Sequence, residues 1–167
     1  MDLTEVARAR QSHVLAGFVY FVTPNPQKCL TESLGVLQPG GACAVSSWQG
    51  NQWMGIMLLV KKVRPEKAMP SVPAAWTTAE GVRAEFEKAG FRDAGAREVV
   101  AEMAVENAEA LVELFWTKMP HVVAMKADMS EEEIGRLRKI MVEETERVSG
   151  VQGGKLTGVS VVGWGQE

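Results

Sequence analysis

Cysteine is scarce in this chain of 167 residues: Cys29 and Cys43 stand alone, with no CxxC pair and no Cys/His spacing beside them. A zinc ribbon and a disulfide framework are thereby excluded as the organising device, and no metal is expected. Histidine is as rare, so imidazole chemistry would fall on His13 or His121. No Lys/Arg cluster is longer than Lys61-Lys62, and the formal net charge is −3. That balance gives no electrostatic footprint for nucleic acid or an anionic membrane. The longest apolar run, Val14–Val22, is too short to cross a bilayer, and no charged leader precedes an apolar signal core. A soluble, cytoplasmic protein is expected. What is present, 46% hydrophobic and 23% charged residues, suffices for one core of ordinary size, so residues 1–167 are read as a single domain.

Val14–Val22 is continuously apolar and rich in β-branched and aromatic residues, the pattern of a strand covered on both faces. Pro24-Asn25-Pro26 stops it: Asn25 suits a helix cap, Pro26 a first helical turn, and Leu30, Leu34 and Leu37 mark one helical face. Pro39-Gly40-Gly41 then predicts a turn into a second buried strand, Ala42–Ser47. Trp48 to Asn51 lead into a helix striped by Trp53, Ile56, Met57, Val60 and Val63. After an irregular stretch with Pro65, Pro70 and Pro73, Thr77 with Glu80 predicts a capping box, and Gly90 a helix end. Arg97–Met103 reads as a strand and Asn107–Met119 as a helix. Ser130 with Glu133 caps another helix, and Gly158–Gly165 reads as the last strand.

The passage from Leu34 to Trp48, the second Gly-rich turn and the unit Ala89-Gly90-Phe91 together resemble the C-terminal half of class I S-adenosylmethionine (SAM) methyltransferases. The likeness is to the UbiE-like, small-molecule type that includes enzymes of fungal secondary metabolism. The resemblance implies an α/β, Rossmann-like sheet with Val14–Val22 as strand four, Ala42–Ser47 as strand five and Arg97–Met103 as strand six. Gly158–Gly165 becomes an antiparallel strand seven between five and six, with helices on both faces. Strands one to three and the Gly-rich cofactor turn have no counterpart, so no cofactor is expected; Asp2 resembles a remnant of the carboxylate that lies near the adenine in that family. Strand four would then be a long apolar edge, and edges of that kind need a cover. A homodimer through Val14–Val22 is expected.

In open α/β sheets ligands gather beyond the carboxyl ends of the strands. That rule collects Tyr20, Phe21, Thr23, Ser46, Ser47 and Trp48, and the helices covering substrate in the resembled family add Trp53, Met54, Trp116, Met119 and His121. An aromatic, Met-lined pocket for a flat hydrophobic molecule is one reading of these residues; plain core is the other. His121, after Met119-Pro120, is the candidate acid or base, with Tyr20 and Ser47 as hydroxyl donors. The expected function is a SAM-independent, methyltransferase-like tailoring protein of natural-product chemistry that promotes isomerisation or cyclisation by shape and acid–base assistance. The alternatives are a non-catalytic pseudoenzyme or split subunit that completes or regulates a methyltransferase, and a fragment of a genuine SAM enzyme.

Overall fold

A computed structural model of the chain describes residues 9–67, 71–150 and 154–167, apart from the side chains of residues 120 and 121. In chain order the elements are β1 (Gln11–Gly17), α1 (Pro26–Val36), β2 (Leu37–Asn51), α2 (Gln52–Met57), α3 (Ala79–Ala89), β3 (Arg92–Val105), α4 (Ala108–Lys118), α5 (Pro120–Lys126), α6 (Glu131–Ser149) and β4 (Gly154–Gln166). Short 3-10 turns lie at Tyr20–Val22, Leu58–Lys62 and Ala74–Trp76.

The fold is α/β, with one mixed four-stranded sheet ordered β1-β2-β4-β3. β1 and β2 run parallel, Val14 beside Cys43 and Ala16 beside Val45. β4 runs against β2: Ser160 Oγ donates to the Ser47 carbonyl at 3.1 Å and Glu167 N to the Gly41 carbonyl at 2.9 Å, so numbers rise along one strand as they fall along the other. A single domain over residues 1–167 is the expectation from length; the contacts group the described residues into two compact units. The first comprises those of 1–50, 70–100 and 159–167, the second those of 51–69 and 101–158.

In the first unit, alternation along β2 turns Cys43, Val45 and Ser47 inward and leaves Ala42, Ala44 and Trp48 half-buried. The inward face packs on Leu30 of α1, on Val82 and Phe86 of α3, and on Trp76. Within this unit α1 and α3 pack on this face. On the other face Leu15 is 79% exposed. α1 starts as its sequence requires, Asn25 Oδ1 accepting from Lys28 N at 2.9 Å with Pro26 in the first turn. α3 is capped one residue later than expected, by Thr78 accepting from Gly81 N; adjacent threonines offer the same hydroxyl, and Thr78 is the one that precedes the first helical residue in extended backbone. Gly90, at φ +95°, ends that helix.

The first strand is shorter than its apolar run. Val14–Val22 is not one element: β1 ends at Gly17, Phe18 takes a left-handed backbone at φ +55°, and Tyr20–Val22 form a 3-10 turn. Tyr20 and Phe21 are buried in that turn, and burial there selects the same residue types as burial in a strand. The other strands outrun their expected bounds. β2 absorbs the predicted Pro39-Gly40-Gly41 turn, Gly40 at φ +77° serving as a bend within it, and β3 and β4 extend at both ends.

In the second unit α4 and α2 pack against α6, whose Leu137 and Met141 lie fully buried with Ile56, Val112 and Phe115. The expected capping box at Ser130 is complete: Ser130 N donates to Glu133 Oε2 at 2.8 Å, and Glu133 N donates to Ser130 Oγ at 3.3 Å. Glu133 also receives Arg64 Nε at 2.6 Å and Nη2 at 2.9 Å. The Arg64 hydrogen bond first, then the Ser130 backbone N–H, pull its carboxyl down from 4.5 to about 2. A depressed carboxyl contributes stability above its unfolded value and loses it as pH falls through the folded one. Between about pH 4.5 and 2 Glu133→Gln is therefore expected to flatten the acid loss of stability, read as urea midpoints against pH. An unchanged slope there would sink the assignment.

Among the described residues no helix is long and apolar enough to cross a membrane.

Candidate functional site

Because β1 and β2 are parallel, their carboxyl ends lie side by side, with Gly17 opposite Ser46 as the last pair. Ligands of open α/β sheets collect at this end. The chain leaves β1 through Phe18, whose N–H donates to Ser46 Oγ at 3.1 Å. Its ring lies flat on Trp48, centroids 4.3 Å apart and planes 8° from parallel. Phe18 is 41% exposed, and the neighbouring Val19 and Val22 are 44% and 62% exposed. An apolar, aromatic rim of this kind offers shape and dispersion to a ligand rather than charge.

Beneath the rim the polar groups are occupied within the protein. Tyr20 is buried, its hydroxyl hydrogen-bonded to Ser33 Oγ and its ring edge-on to Trp76. Burial pushes its pKa up to about 12, so it stays a neutral phenol at physiological pH. Ser47 is fully buried and donates to the Trp76 carbonyl at 2.5 Å. Thr23 Oγ1 donates to the Tyr20 carbonyl at 2.7 Å and lies 3.4 Å from Cys29 Sγ. Phe21 is buried in the core. Cys43, likewise buried, has its thiol pushed up to about 12 by desolvation, which removes thiolate chemistry near neutrality.

The remaining expected site residues belong to the second unit. Trp116 is 6% exposed and packs in the core, its carbonyl accepting from Lys126 Nζ at 2.9 Å and its ring lying 5.3 Å from that ammonium. Trp53, Met54 and Met119 are partly buried against the same core. His121 lies in α5, directly after the break at Met119, and its side chain is outside the described residues; Asp2 is outside them altogether. Of the expected set, the structure thus brings together Tyr20, Phe21, Thr23, Ser47 and Trp48 in one unit. Phe18 is the residue that sequence reasoning missed. It read as the interior of a strand, and a left-handed backbone at a non-glycine residue leaves no mark in sequence.

The Gly-x-Gly of β4 does not serve as a cofactor turn. The Gly-x-Gly of β4, Gly163 and Gly165, is spent on packing: a Cβ on Gly163 would lie 2.4 Å from Val82 Cγ1, and one on Gly165 2.7 Å from Phe91 Cβ. Glycines so filled from within cannot let a cofactor approach the backbone. Among the described residues no cluster of three or more His, Cys, Asp or Glu could hold a metal ion.

No family model matches the chain. It is 33% identical over 165 residues to methyltransferase ucsB of an Acremonium species, a match that takes in 99% of this chain and 57% of the relative. A 54-residue stretch is 37% identical to methyltransferase tpcH of Aspergillus fumigatus, covering 32% of this chain and 19% of that one. The chain thus spans little more than half the length of the fuller of these relatives. Among solved structures, a proposed type II methyltransferase of Anaeromyxobacter dehalogenans superposes with a TM-score of 0.57 at 11% identity, over 98% of this chain and 68% of that one. The fold is methyltransferase-like and Rossmann-like, with relatives among fungal methyltransferases.

Proposed function

We propose that this methyltransferase-like chain is a natural-product tailoring protein whose own part is to bind a hydrophobic small molecule at the carboxyl ends of β1 and β2. The observation that carries the reading is the exposed Phe18–Trp48 stack on that rim. Its own chemistry is SAM-independent: it promotes isomerisation or cyclisation by holding one conformation of a reactive molecule, which lowers a barrier through orientation alone. Tyr20 and Ser47, expected as donors, have their hydroxyls committed inside the fold. The protein acts as a homodimer joined through the β1 edge, the strand portion of the expected 14–22 segment.

A second reading is favoured by the ucsB likeness: the chain holds the acceptor molecule for a methyl transfer in which other residues hold SAM. Calorimetry tests whether this chain by itself holds the cofactor. The 167-residue chain is expected to give no saturable heat with SAM; binding at micromolar SAM would overturn the cofactor-free reading.

A further inference from the structure

We infer that Phe18, clamped by Ser46 and stacked on Trp48, is a platform selective for planar, unsaturated ring systems. The inference rests on the small-molecule reading above and adds to it the class of molecule and the residue that selects it.

The backbone supplies the first argument. A bulky residue at φ +55° is an outlier that persists only where its surroundings hold it, and such outliers gather at ligand sites. Here the clamp is visible. The Phe18 N–H is bound to Ser46 Oγ across the parallel pair, which fixes the residue just beyond the last residue of β1. Glycine would meet the same backbone requirement without strain, as it does at Gly90 in the same unit. A phenyl ring kept there against that preference is explained by what the ring does.

The ring geometry supplies the second. One face of Phe18 lies on Trp48 at 4.3 Å, and the residue is still 41% exposed; the ring's other face is the one assigned to the ligand. A third flat ring can extend this stack at the same spacing. A puckered, saturated ring meets the same face through a few hydrogens and loses most of that contact. Ser46 Oγ accepts from Phe18 and keeps its own proton to donate, so a hydroxyl or carbonyl on the edge of the ligand has a partner. No Asp, Glu, Lys or Arg occurs from Gln11 to Gln27, which suits a neutral molecule.

The test uses two probes with one carbon skeleton and one hydroxyl, 2-naphthol and decahydro-2-naphthol, titrated calorimetrically into the 167-residue chain. The unaltered chain is expected to favour 2-naphthol by roughly tenfold. Phe18→Gly is expected to erase that preference while leaving the melting temperature in place, because glycine accepts the left-handed backbone. Trp48→Leu is expected to erase it as well, and Phe18→Tyr to keep it. The platform is overturned if both Phe18→Gly and Trp48→Leu retain the preference, or if Phe18→Gly melts well below the parent, which would mark the ring as packing alone. Equal binding of both probes by the parent also overturns the platform but spares the hydrophobic site. Binding of neither probe removes that site too.

Discussion

Leu15→Lys is expected to give a particle of one chain mass where the unaltered protein is expected to run at two. Among the described residues β1 stands at the end of the sheet order, hydrogen-bonded to β2 on one side. Natural edges are blunted by charges, prolines or bulges. This one carries an irregularity between Gln11 and His13 and nothing further: no Asp, Glu, Lys or Arg occurs from Gln11 to Gln27, and no proline precedes Pro24. Beside the edge Leu15 is 79% exposed, and its neighbour across the parallel pair is Ala44, too small to cover it. An uncharged apolar edge is its own complement. Antiparallel pairing about a twofold axis satisfies both backbones and sets Leu15 near its symmetry mate. Lysine there places two like charges in a dehydrating interface, which costs more than such an edge can supply. Light scattering at micromolar concentration reads the result, with circular dichroism to show that Leu15→Lys stays folded. A parent protein of one chain mass, or one that forms open-ended aggregates, would refute the twofold pairing.

That edge also shows how far the sequence could be read. The α/β class, the helices after Asn25, Asn107 and Ser130, and the stop at Gly90 were legible because caps and glycine stops act over three or four residues. The division of Val14–Val22 was not. Strand and 3-10 turn bury the same residue types, and the event that separates them, a left-handed Phe18, depends on a hydroxyl 28 residues away. The site was half legible for a related reason. Composition finds aromatic and hydroxyl residues near a strand end, yet whether a hydroxyl faces a ligand depends on partners far along the chain. Tyr20 meets Ser33, and Ser47 meets the carbonyl of Trp76. Trp48, expected at the rim, is half-buried there, and it is the expected residue that stacks on Phe18.

Phe86→Ala is expected to cost about 4 kcal/mol, within the roughly 3–5 kcal/mol seen when a buried phenylalanine is truncated. Phe86 is fully buried and meets Phe91 edge to face, with centroids 5.0 Å apart. Its place in that range follows from what surrounds the vacated space. On the sheet side stand Gly163 and Gly165; a Cβ on the first would approach Phe86 Cε2 to 3.1 Å, and one on the second Phe86 Cδ1 to 2.9 Å. Glycines have no side chain to relax into a cavity, so the void stays. Against the usual total of about 5–15 kcal/mol the loss is a large fraction of the stability, measured as a fall in the urea midpoint at unchanged slope. A loss below about 1 kcal/mol would show that the sheet and α3 are not packed this closely. Gly163→Ala probes the same contact from the other side, because its new methyl would meet Val82 Cγ1 at 2.4 Å. Adding Val82→Ala removes the opposing methyl, so the pair is expected to cost less than the two changes summed, by about 1 kcal/mol or more. Simple additivity would mean that Gly163 is not kept small by α3, and the reason for reading the Gly-x-Gly of β4 as packing rather than as a cofactor turn would be lost with it.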